Sequence, residues 1–145
     1  MENMNKPKGN VSYRKIKVKE SGEITVVYEI LTDGANDDLQ TVTYVSREQP
    51  LPDFYFALEA MTTFICRKYD VAGVITDSRL QELTLKELEE KTDAAFLLNV
   101  RGEHWGIDCK ISEKNISSDT QTQVNNFLYE VQRFIEGERA QSSLF

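Results

Sequence analysis

The chain has 145 residues, 40% of them apolar and 28% charged, with a formal net charge of −7. That length suits one domain able to bury its own core without disulfides or metals, and the acidic balance speaks against broad, charge-driven binding of nucleic acid. Residues 1–10 lack the apolar centre of a signal peptide and no later run is apolar enough to span a bilayer, so a cytoplasmic protein without a membrane partner is expected.

Residues 1–10 are polar, with Lys6, Pro7, Lys8 and Gly9, and are expected to form a flexible leader. From Ser12 the residues alternate as in a strand, with Arg14, Ile16 and Val18 on one face and Tyr13, Lys15, Lys17 and Lys19 on the other. Ser21-Gly22 marks a turn, and Ile24, Val26, Tyr28 and Ile30 then alternate as a second strand. Asp33-Gly34 opens a loop that ends near Asp38, and Leu39 to Ser46, rich in Thr and Val, reads as a third strand. Three consecutive strands joined by short polar loops predict an antiparallel meander with one face to be covered.

The cover is expected from a helix opening at Pro52, where a proline suits the first turn and Asp53 suits the positive end of the dipole. Phe54, Ala57, Leu58, Met61, Ile65 and Tyr69 form an amphipathic stripe. Phe56 and Phe64 widen it, which predicts a helix buried on more than one side and ending near Tyr69-Asp70. Residues 80–92 carry two patterns: Thr84 with Glu87 resembles a capping box, whereas Leu83 and Leu85 alternate as on a strand. Ala95 to Val100 reads as a buried strand, Arg101-Gly102-Glu103 as a turn, and Trp105, Ile107, Cys109 and Ile111 as one face of a further strand. Ser118 with Gln121 offers a cap for a closing helix whose apolar side is Val124, Phe127, Leu128, Val131, Phe134 and Ile135, and Gly137 is a natural stop. The expected fold is therefore α+β, an antiparallel sheet of five to six strands packed against two main helices in the order β-β-β-α-β-β-(β)-α. It forms a single domain over residues 11–137 and is followed by a tail at 138–145.

Little in this pattern points to catalysis. Cys66 and Cys109 fall in helical and strand patterns and read as small buried apolar residues, not as a disulfide. His104 is the only histidine, no paired cysteines accompany it, and the Asp33, Asn36, Asp37, Asp38 loop lacks the calcium-loop spacing. Neither Gly-x-Ser-x-Gly nor a phosphate-binding glycine loop occurs. A protein that is not an enzyme, with no cofactor and no metal, is expected. Tyr13, Lys15, Lys17 and Lys19 form the one candidate nucleic-acid face, an aromatic and three ammonium groups on one side of a strand. Lysines on an edge strand also discourage aggregation, and that explanation is preferred.

The sharpest functional signal is Gln141-Ser142-Ser143-Leu144-Phe145, beyond a short polar leash of Glu138, Arg139 and Ala140. Two adjacent large apolar residues in a terminal segment gain nothing in water, which directs them to a pocket. The pentapeptide resembles the bacterial sliding-clamp-binding motif at Gln141, Ser143, Leu144 and Phe145, with Ser142 standing where that motif often has Leu. The resemblance implies a clamp subsite for the Gln141 amide and an apolar pocket for Leu144 and Phe145. Two further blocks, Gln49-Pro50-Leu51-Pro52-Asp53-Phe54-Tyr55 and Gly137-Glu138-Arg139-Ala140-Gln141, resemble uncharacterised phage and prophage proteins that share a Pro-x-Pro-Glu/Asp-Phe-Tyr helix start and a Gly-x-Arg-Ala-Gln ending. That likeness favours strand over helix for residues 80–92 and implies a setting in phage DNA replication or recombination. Three functions are carried forward: a non-catalytic accessory protein that docks on the sliding clamp, a single-stranded DNA-binding module using the first strand, and an acidic inhibitor of a host DNA-acting protein using Glu87, Glu89 and Glu90.

Overall fold

The computed structural model describes residues 10–31, 39–71 and 77–140. Alternating apolar residues build six strands, β1 (Asn10–Val18), β2 (Ile24–Leu31), β3 (Leu39–Ser46), β4 (Asp77–Leu88), β5 (Lys91–Arg101) and β6 (Gly106–Glu113). Helix α1 (Pro52–Lys68) follows β3 and helix α2 (Ser118–Ile135) follows β6. The strands lie in one sheet in the order β3-β2-β1-β4-β5-β6, every neighbouring pair antiparallel. The architecture is thus the expected α+β one, with residues 80–92 forming the β4–β5 hairpin. Each half of the chain runs βββα, and the two meanders meet at the β1–β4 seam, where only Lys15 to Lys17 pair with Glu82 to Thr84.

Register shows where the core lies. Ile16 faces Val26 on one side and Leu83 on the other, Leu83 faces Phe96, and Phe96 faces Ile111. Residues in register share a face, and this row joins Phe54, Leu58, Met61 and Ile65 of α1 and Val124, Phe127, Val131 and Phe134 of α2 in one buried cluster. Both helices therefore cover the same face of the sheet. Phe54 locks the two together, its ring 5.3 Å from Phe127 and 5.8 Å from Phe134.

Two bulges interrupt the alternation, at Arg14 in β1 and at Gln81 in β4. The first overturns an expectation. By inserting one residue it returns Tyr13 to the core side, opposite Tyr28 with ring centroids 6.0 Å apart, while Lys15 and Lys17 stay on the other face. Phe56 is also corrected: it is 66% exposed, because the buried stripe of α1 is already filled by Phe54, Leu58, Met61, Thr62, Ile65 and Cys66. The α2 cap is Ser117, one residue before the expected Ser118, and its hydroxyl accepts from the Thr120 amide. Cys66 is buried and Cys109 half-buried, both as free thiols. No helix among the described residues is long and apolar enough to cross a membrane.

Candidate docking site at the end of the second helix

Helix α2 ends in a turn dictated by one glycine. Gly137 has φ +102° and donates its amide to Phe134 O at 3.1 Å, while the Glu138 amide reaches Arg133 O at 3.0 Å. That pair of bonds satisfies the last carbonyls of the helix and reverses the chain. The reversed chain runs beside residues 48–50: Arg139 forms an antiparallel bridge with Pro50, and the Ala140 amide donates to Gln49 O at 3.0 Å. The expected polar leash is therefore, through Ala140, a docked segment. The reason is the Arg139 side chain. Its guanidinium lies over the buried Phe134 ring at 3.8 Å and donates to Tyr44 Oη at 2.6 Å, to Glu48 Oε1 at 2.8 Å and to Phe134 O. A cation held over a ring while several of its donors reach separate acceptors suits arginine and would not suit lysine.

A second arginine braces the same corner. Arg133 contacts Glu138 at 3.0 Å, Glu130 at 3.1 Å and Asp53 at 3.2 Å. Glu138 first, then Asp53 and Glu130, raise its pKa further above the ordinary arginine value. Asp53 lies in the first turn of α1, so this contact joins the start of one helix to the end of the other. The two blocks singled out in the sequence, one at 49–55 and one opening at Gly137, thus meet in a single clasp; Glu48 and Arg139 stand 91 positions apart in the chain.

Gln141, Ser143, Leu144 and Phe145 lie outside the described residues, as does the Asp33 to Asp38 loop. The candidate nucleic-acid face is not assembled as expected. Tyr13 sits on the core side, where burial first and then Tyr28 and Glu136 push its hydroxyl up to about 12. Lys15 lies 3.6 Å from Glu82, Lys19 lies 2.9 Å from Glu23, and Lys17 is in register with Glu82. Glu89 and Glu90 form the tip of the β4–β5 hairpin, while Glu87 accepts from the Ser12 hydroxyl at 2.7 Å. His104 is exposed in the β5–β6 turn beside Glu103, and no group of three or more His, Cys, Asp or Glu side chains among the described residues is placed to hold a metal.

Sequence reasoning missed a polar cluster beneath the other end of the helices. Glu113, 9% exposed, accepts from Tyr69 Oη at 2.6 Å, the Ser117 amide at 2.9 Å, Lys68 Nζ at 3.0 Å and Thr120 Oγ1 at 3.1 Å. Burial alone would raise its pKa, but the bonds from Tyr69, Ser117, Lys68 and Thr120 outweigh it and hold the carboxyl below the usual range. Burial and then Glu113 push Tyr69 up to about 12. Because the partners come from the end of α1, the end of β6 and the cap of α2, no local spacing announces the cluster. The described residues also form clefts, among them a groove of about 850 Å³ between Phe56 and Phe64 of α1 and Asp119 and Gln123 of α2, and one of about 610 Å³ between Lys19, Tyr55 and Arg79. Arg79 bridges the seam to Val18 O at 2.8 Å.

No known protein family, curated protein or solved structure matches this chain.

Proposed function

We propose that the chain is a non-catalytic accessory protein of phage-type DNA replication or recombination that docks on the bacterial sliding clamp through Gln141, Ser143, Leu144 and Phe145. The supporting observation is the sequence Gln141-Ser142-Ser143-Leu144-Phe145 set directly after a residue, Ala140, that the domain holds by a backbone bond to Gln49. Five residues extend at most about 17 Å at ~3.4 Å each, so a partner that takes Leu144 and Phe145 must come close to the corner formed by Glu48, Arg139 and Glu138. Each apolar side chain is worth about 1.5–3 kcal/mol when buried. Two of them with the Gln141 amide contribute at most about 7 kcal/mol before ordering costs, which supports binding between about ten micromolar and millimolar, and Ser142 adds none of the apolar area a Leu there would.

The test is a calorimetric titration of clamp with the full chain, with a version ending at Ala140 and with Leu144→Ala/Phe145→Ala. Binding by the full chain between about ten micromolar and millimolar, lost in both others, is expected. Equal binding by the full and shortened chains would remove residues 141–145 from the contact.

A further inference from the structure

The sheet has two outer strands, and they are protected differently. β6 carries Asp108 and Lys110, charges of the kind that keep an edge from pairing with another chain. β3 reads Leu39-Gln40-Thr41-Val42-Thr43-Tyr44-Val45-Ser46, eight residues with no charge and no proline. It pairs along its whole length with β2, and among the described strands nothing pairs with its other side. Leu39 is 58% and Val45 54% exposed; with Thr41 and Thr43 they form the face of β3 turned away from the helices, while Val42 and Tyr44 pack toward the core.

We propose that β3 pairs with β3 of a second copy of this chain, antiparallel and centred on Val42, joining two six-stranded sheets into one. The evidence is the palindromic chemistry of the strand. A two-fold axis at Val42 sets Leu39 opposite the second copy's Val45, Val45 opposite its Leu39, and each Thr41 opposite a Thr43. Apolar residues then cover apolar ones and threonines face threonines, both favourable cross-strand pairs. Moving the axis to Thr43 sets Leu39 opposite Arg47 and Val45 opposite Thr41, so the two exposed hydrophobes no longer cover each other. An unrelated strand would fit only by chance, whereas an isologous contact uses one patch twice and needs a self-complementary sequence. The contact is independent of residues 141–145, so it can fail while clamp docking stands, and the reverse.

Sedimentation equilibrium of the full chain from low to high micromolar concentration is expected to show twice the monomer mass. In Thr41→Lys/Thr43→Lys each lysine faces a lysine across the axis, which is expected to raise the dimer dissociation constant by about tenfold or more. Mixing it with Thr41→Glu/Thr43→Glu is expected to restore a heterodimer, an outcome that misfolded chains cannot give. Hydrogen exchange of the β3 amides in the unaltered chain supplies a readout that needs no variant, with protection expected to rise with concentration. A chain that stays monomeric throughout overturns the proposal, as does a folded lysine variant that still dimerises, folded charge variants that do not associate on mixing, or exchange that ignores concentration. So does dimerisation that appears only when the chain is cut after Ala140, which would assign the edge to residues 141–145 of the same molecule.

Discussion

Replacing Glu113 with Gln should destabilise the domain at neutral pH and flatten its response to acid. Glu113 is 9% exposed and accepts four hydrogen bonds, one of them from the Lys68 ammonium. A hydrogen bond to a charged group contributes about 1.5–3 kcal/mol and breaking a buried pair costs about 3–5 kcal/mol. Lys68 is 30% exposed and keeps Ser117 and Thr120 as partners, so part of its loss is recovered by water. Glutamine also retains one acceptor oxygen, which leaves a net cost of about 1–3 kcal/mol, or roughly 2–10 °C in Tm for a domain of this size. The sign with pH follows from the depressed folded-state pKa. The stabilisation is fully present above the unfolded-state value near 4.5 and is lost as pH falls through the lower folded value. Urea melts of both proteins at several pH values between neutral and acid should therefore show a gap that is constant near neutrality and closes below about pH 4. A gap that is absent at neutral pH, or that persists undiminished in strong acid, would refute the assignment of Glu113 as the charged hub joining α1, β6 and α2.

Arg139→Ala should cost about 1–2 kcal/mol through the lost ring contact with Phe134 and the bonds to Tyr44 and Glu48, read as a lower urea midpoint at unchanged slope. Gly137→Ala should cost about 1–2 kcal/mol from backbone strain alone, since a Cβ there meets nothing within 4 Å while φ is +102°; a loss below a few tenths in the same melts would argue against it. Gly102→Ala should redden the emission of the one tryptophan, because the added Cβ would stand 2.1 Å from Trp105 Nε1 and must displace the half-exposed indole; an unchanged spectrum would mean that the ring does not lie over Gly102.

The elements were legible in the sequence because most strands and both helices keep their period. Leu39–Ser46 and Pro52 at the first turn of α1 are as expected, and the buried side of α2 follows its spacing of Val124, Phe127, Val131 and Phe134. The failures come where one residue is added. Thr84 and Glu87, the pair that resembled a capping box and made residues 80–92 ambiguous, both lie in β4, where the bulge at Gln81 leaves Leu80 and Leu83 buried at a separation of three. The bulge at Arg14 did the opposite, hiding behind an apparently unbroken alternation and moving Tyr13 off the lysine face. Phe56 was misjudged because a wide apolar stripe does not say where the partner surface stops. The Glu113 cluster and the clasp were invisible for a common reason: both join residues distant in sequence, and contact across the fold has no period.

The clasp changes what the sequence block at 137–141 can mean. Gly137 is needed to turn the chain, and Arg139 to cover Phe134 and tie Tyr44 and Glu48, so both have structural work that no partner need explain. Likewise Pro52 and Asp53 open α1 and receive Arg133. These residues therefore have roles within the fold, and the proposed docking stands on residues 141–145 alone. It becomes more specific in doing so. A long free tether would let Leu144 and Phe145 bind at any distance from the domain, whereas the bond from Ala140 to Gln49 keeps whatever would hold them within about 17 Å of this corner. Under the proposed docking a partner at the pentapeptide would come within reach of Glu48 and Glu138, both exposed, and its affinity is expected to change when their charges are reversed.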